Sequence, residues 1–79
     1  MGIKPVPLKK YRKFLEQVGL QKIRTKGTHE IWNNPTQPLL RPVTVDSKYA
    51  NVPILHIHTS LKSIGITKED FNKIIETME

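Results

Sequence analysis

The 79-residue chain contains no cysteine. That absence excludes disulfides, thiolate metal sites and a cysteine nucleophile, and it fits a reducing compartment. Long apolar runs are missing too. Nothing approaches the roughly 20 residues that a membrane-spanning helix needs, and no signal-peptide pattern opens the chain. The expectation is a soluble, cytoplasmic protein. Acidic residues are scarce, 7 against 13 Lys plus Arg. Residues 1–48 hold ten bases and three acids, whereas residues 49–79 hold three bases and four acids. Such one-sided charge, with a pI near 9.9, is the footprint of a polyanion partner, although a generically basic soluble protein has the same composition. An anionic membrane fits less well, because no basic amphipathic helix carries a large exposed apolar face.

What is present suits one small domain over residues 1–79. An apolar fraction of 37%, with aromatic and β-branched residues spread along the length, favours a globular chain over a disordered tail. A chain this short buries roughly 60% of its unfolded surface. Per-residue scaling then gives a net stability of roughly 4–12 kcal/mol.

Residues 1–7, with Pro5 and Pro7, show no periodicity and read as a lead-in. Leu8, Tyr11, Phe14, Leu15 and Val18 then step by three and four along one helical stripe. Lys9, Lys10, Arg12 and Lys13 fall off that stripe, either as a phosphate-binding face or as the solvated side of an amphipathic helix. Gly19 ends the helix, able to take a left-handed conformation, and Leu20 can fold back on the last turn. Two short segments flanking Lys26-Gly27-Thr28 read as a β-hairpin. A turn cluster over residues 33–38 leads to "LLRPVTV" as a third strand, with Pro42 at an edge or strand start. The polar stretch Asp46 to Asn51 reads as a loop. Ile54, Ile57, Leu61 and Ile64 describe a second helix from about Pro53, stopped by Gly65. Thr67 opens a capping box before a last helix whose apolar side is Phe71, Ile74, Ile75 and Met78. The order α-β-β-β-α-α predicts an α+β domain, a three-stranded antiparallel sheet with helices on one face.

The chemistry centres on "TKGTHEIW", Thr25 to Trp32. With either two-residue loop, strand alternation sets His29 on a face with Lys22, Arg24 and Lys26, and sets Ile23 and Trp32 on the other, whereas a three-residue loop reverses this parity. Ile31 also falls on His29's face. Among cations an imidazole is biased toward its neutral form, which can take a proton from a ribose 2′-hydroxyl while Lys or Arg steadies the phosphate. The competing reading is a solvated polar residue beside a turn. His56 and His58 in "HIH" could chelate a metal from a strand but not from a helix, and no acidic cluster supports them. His58 is expected on a helix surface and His56 partly packed. Trp32 and Tyr49 could stack on bases, though Trp32 suits the core.

At "VGLQKIRTKGTHEIWNNP" the chain resembles the HicA-type toxins, the YcfA/HicA-like family of messenger-RNA interferases. The elements that match are Val18-Gly19-Leu20, Lys26-Gly27-Thr28-His29 and Ile31-Trp32. The likeness continues through Arg41–Val45 and "LKSIGITKEDF" and covers about residues 8–75. The resemblance implies a fold like the double-stranded-RNA-binding domain, metal-independent RNA cleavage with no cofactor, and neutralisation by a HicB-type antitoxin. It maps the catalytic histidine onto His29, with Gly27 and Thr28 shaping the corner. Two features depart from the family's pattern: the Pro-rich loop at Pro35 and Pro38, and "PILHIHTS" ahead of the second helix.

The resulting expectation is an endoribonuclease in which His29 is general base or acid. Lys22, Arg24 and Lys26 would hold phosphate, with Thr28, Lys10 and Lys13 as further RNA contacts and no metal. An RNA-binding module on the same fold that does not cut is the rival. A third reading is a protein-interaction domain with an acidic partner.

Overall fold

A computed structural model describes residues 4–78 of the chain. Its elements are β1 (Val6–Pro7), α1 (Leu8–Gln17), β2 (Gln21–Lys26), β3 (His29–Asn33), β4 (Val43–Asp46), β5 (Asn51–Val52), α2 (Ile54–Ile64) and α3 (Lys68–Thr77). Strands β2, β3 and β4 form an antiparallel sheet in that spatial order, and β1 pairs with β5 in a separate two-stranded ribbon. Over the described residues the domain is therefore α+β, with three helices and a three-stranded antiparallel sheet.

The ribbon corrects the expected order, in which the lead-in and the Asp46–Asn51 loop contain no strand. Two residues are too few to show a period. The ribbon forms because Val6 and Val52, paired in register, are both buried in the core. It also starts α1. No side chain caps that helix, and the Leu8 N–H instead donates to the Ala50 carbonyl at 3.0 Å, meeting one of the orphan donors of a helix start.

The helices form where the apolar spacing puts them. Tyr11, Phe14 and Leu15 bury the inner side of α1, and Leu20 folds back with its N–H on the Leu15 carbonyl at 2.9 Å. Gly19 takes φ +93° at that turn. Phe14 meets Phe71 of α3 edge to face, ring centroids 4.8 Å apart. Pro53 precedes α2 and left-handed Gly65 follows it. The Thr67 hydroxyl accepts from the Asp70 N–H at 3.1 Å, so the cap on α3 forms.

Two strand readings need correction. The third strand was expected from Leu39 but runs only over Val43–Asp46. Before it, Asn33 and Asn34 side chains accept from the N–H groups of Leu39, Thr36 and Gln37, holding the chain in turns. Leu40 is fully exposed there. In β2 the register shifts at Ile23, so that Lys22 faces Trp32 while Arg24 faces Ile31. This bulge inserts one residue and reverses the parity on its N-terminal side. Lys22 therefore shares Trp32's face, not His29's, and Ile23 is exposed.

Trp32, Val43 and Val45 point from one face of the sheet into a core shared with Tyr11, Phe14, Ile57 and Phe71. Glu30 lies on that same face and is buried. Its carboxylate accepts from Arg12 Nε at 3.1 Å, from Arg12 Nη2, and from Trp32 Nε1 at 3.1 Å. Burial alone would raise the Glu30 pKa. The Arg12 and Trp32 hydrogen bonds, with the charges of Arg12 and Lys22, outweigh burial and hold it below the ordinary value.

Candidate active site

The hairpin corner is a two-residue loop, since Lys26 pairs directly with His29. Gly27 takes φ +60° and Thr28 does not share that region, the pattern in which a two-residue turn wants glycine first. A Cβ at Gly27 would meet nothing within 4 Å, so backbone conformation rather than space requires the glycine. The Thr28 carbonyl accepts from the Ser47 N–H at 2.7 Å and from Ser47 Oγ at 3.1 Å, which ties the corner to the end of β4.

That tie brings two ionisable groups together. His29 opens β3 and pairs in register with Asp46, the last residue of β4. His29 Nε2 lies 3.6 Å from Asp46 Oδ2, and Lys48 Nζ lies 3.6 Å from the same oxygen. The other oxygen, Oδ1, accepts from the Lys48 N–H at 3.2 Å. The Asp46 side chain is only 9% exposed while that of His29 is 58% exposed, so a screened carboxylate supports an accessible ring. Burial acts to raise the Asp46 pKa, but the Lys48 N–H, the Thr28 hydroxyl and the charges of Lys48 and His29 hold it below its ordinary value. The His29 ring thus has a carboxylate beside it as well as the cations read from the hairpin alone.

His29 and Asp46 stand at a cleft of about 350 Å³ along the free edge of β4, with α2 as its other wall. Thr44 lines it from the sheet, and His56, Thr59 and Ser63 line it from α2. Tyr49 also lines it, with its ring edge-on to His56 at 5.5 Å and Lys48 Nζ 5.2 Å from its centroid.

Of the expected RNA contacts, Arg24 and Lys26 are exposed on His29's face and Thr28 is exposed in the loop. Lys22 stands on the opposite face, as described. Lys10 and Lys13 ride on α1, which meets the sheet from the Glu30 side through Arg12. Trp32 is buried, as expected of a core residue. His56 is half-buried on the cleft and His58 is exposed, in a groove with Leu55 and Lys62. Among the described residues, no three His, Cys, Asp or Glu side chains converge as a metal site. Nor is any helix among them long and apolar enough to cross a membrane.

Asp46, Lys48, Tyr49 and His56 were not assigned to this site from sequence. The alternation Val43-Thr44-Val45-Asp46 was visible and places Asp46 opposite to the two valines. Its pairing with His29 depends on register across the long connection over residues 34–42, which no local pattern specifies. Comparison with known families, with curated proteins and with solved structures finds no match to this chain.

Proposed function

We propose that this protein is an endoribonuclease of the HicA type, a messenger-RNA interferase of a toxin–antitoxin pair, built on a fold like the double-stranded-RNA-binding domain. The observation that carries the reading is the His29–Asp46 pair, an accessible imidazole 3.6 Å from a screened carboxylate at the lip of a cleft. Cleavage of RNA needs two proton transfers. The 2′-hydroxyl loses its proton as its oxygen attacks phosphorus, and the departing 5′-oxygen gains one as the P–O5′ bond breaks. The products are a 2′,3′-cyclic phosphate and a 5′-hydroxyl. His29 moves one of those protons, and Asp46 orients its ring and offsets the charge of the imidazolium.

Phosphate contacts fall to Arg24 and Lys26 on the same face, with Thr28 at the corner and Lys48 beside the cleft residues Asp46 and Tyr49. No step in this chemistry calls for a metal or a cofactor. The setting is the cytoplasm, where messenger RNA is the substrate and a HicB-like antitoxin the restraining partner. The second reading, RNA binding without cleavage, draws on the exposed basic pair Arg24 and Lys26; basic surface alone supports binding as well as it supports cutting.

The test is incubation of wild type and His29→Ala with labelled single-stranded RNA in EDTA. Cleavage by wild type only, with the variant still folded and still bound to RNA, is the expected result. Binding without cleavage by either protein leaves the binding module.

A further inference from the structure

We propose that His56 is the second proton-transfer group of this cleft: it takes the 2′-hydroxyl proton while His29 protonates the departing 5′-oxygen. The inference rests on the cleavage reading above and supplies what that reading lacks. A single imidazole cannot accept one proton and donate another in the same step. Another group in reach of the same phosphodiester has to move the second proton.

His56 is the other imidazole lining the cleft, and it comes from the opposite wall. His29 and Asp46 belong to the sheet side, and His56 to the first turn of α2. A phosphodiester lying in the cleft would pass between them. The two rings are also joined by a run of neighbours. Asp46 Oδ2 faces both His29 and Lys48, Lys48 Nζ lies over the Tyr49 ring, and Tyr49 meets His56. Lys48, in the middle of that run, touches two residues that line the cleft, Asp46 and Tyr49, and adds positive charge beside it.

The His56 ring has the features of a working group. It is half-buried and steadied by the Tyr49 edge contact, 82° between ring planes. Among the described residues no side chain hydrogen-bonds to either of its nitrogens, so both remain available to a ligand. The roles follow from the surroundings of each ring. His29 faces a carboxylate that offsets an imidazolium charge, which suits the donor. His56 has no carboxylate within ion-pair distance among the described residues, which suits the acceptor. Proton and bond accounts then balance: the proton leaves O2′ for His56, O2′ bonds to phosphorus, the P–O5′ bond breaks, and the His29 proton goes to O5′.

The experiment compares two substrates. One is a labelled single-stranded RNA; the other is the same RNA with sulfur replacing the bridging 5′-oxygen at the linkage wild type cleaves. A thiolate departs without protonation, so the second substrate needs no acid. We expect His56→Ala and His56→Gln, each still showing the wild-type thermal transition, to lose about 10²–10⁴-fold on both substrates. His29→Ala should fail on the RNA and recover on the sulfur-bridged linkage. Wild-type rates in both His56 variants would overturn the proposal while leaving His29 as a nuclease residue. Failure of wild type to cut RNA at all would overturn the cleavage reading and this inference with it.

Discussion

Replacing Arg12 with methionine keeps most of the aliphatic packing of α1 and removes two of the three hydrogen bonds to the Glu30 carboxylate. That carboxylate is 5% exposed, and among the described residues only Trp32 Nε1 would remain to serve it. Stranding one member of a fully buried ion pair costs about 3–5 kcal/mol. The Arg12 side chain is 37% exposed, so water already screens the pair and reaches part of the gap. Discounting for that screening gives a cost of about 2 kcal/mol. For a domain of this size that is a fall of about 8–16 °C in Tm. The effect has a pH signature. In wild type Glu30 has a lowered pKa in the fold, so its contribution is present above the unfolded carboxyl value and is lost as pH falls through the folded one. In Arg12→Met, burial is left as the dominant influence and Glu30 destabilises the fold whenever it is charged. The gap in Tm between the proteins should therefore be widest near neutral pH and should shrink as Glu30 protonates. Glu30→Gln on the variant background should recover part of the loss, because a neutral amide removes the stranded charge. Thermal melts followed by circular dichroism between about pH 3 and 7, spanning the carboxyl range, read all of this. An Arg12→Met protein with wild-type Tm, or a gap that does not change with pH, would refute the argument.

Three further outcomes are expected. Gly27→Val forces a β-branched residue into a left-handed corner, at about 1–2 kcal/mol, and should lower Tm by about 4–16 °C; an unchanged melt would count against the φ of +60°. Asp46→Asn should keep its fold and lose RNA cleavage, measured as initial rate on labelled RNA. Because the Asp46 pKa is lowered in the fold, its stabilising share is present at neutral pH and lost as pH falls, so wild type and Asp46→Asn should converge in Tm under acid. Arg24→Ala should reduce the salt dependence of RNA binding by about 0.7 in logarithmic slope, the value for one phosphate contact on a single strand. Lys22→Ala, on the other face, should leave that slope unchanged. Equal loss from both variants would contradict the bulge.

The helices were legible because their signals are local. Stripe spacing, Gly19, Pro53, Gly65 and the Thr67 cap each act within one turn of the residue that carries them. The hairpin corner was legible for the same reason, since Lys-Gly-Thr between two short strands needs a glycine at a positive φ. The bulge at Ile23 was not. "QKIRTK" has one large apolar residue, and a single inserted position leaves no mark on a segment that is otherwise polar. Alternation alone therefore put Lys22 beside His29, when the extra residue turns it toward Glu30 and Trp32. The β1–β5 ribbon and the Asp46 pairing were hidden by sequence distance. Each depends on which segments meet across a long connection, and burial of Val6 with Val52 becomes visible only once they have met.

Neighbours in sequence, His29 and Glu30 project to opposite faces of β3, and under the proposed cleavage that opposition would let the hairpin carry chemistry at an exposed corner. On the inner face, Glu30 is fastened by Arg12 from α1 and by Trp32 from its own strand. On the outer face, His29 meets Asp46, whose neighbour Ser47 is tied to the Thr28 carbonyl. A strand start is normally where a hairpin frays. Here the residue after His29 is locked to a helix and the residue before it is locked to the end of β4. The imidazole is free to meet solvent while its backbone is held on both sides. An active histidine needs that combination, since positional error of about 1 Å at a reacting group can cost 10²-fold in rate. Loosening Glu30 should therefore lower cleavage as well as stability, although Glu30 faces away from the cleft. An Arg12→Met protein assayed well below its own Tm that still cut RNA at the wild-type rate would show that the inner clamp serves the fold alone.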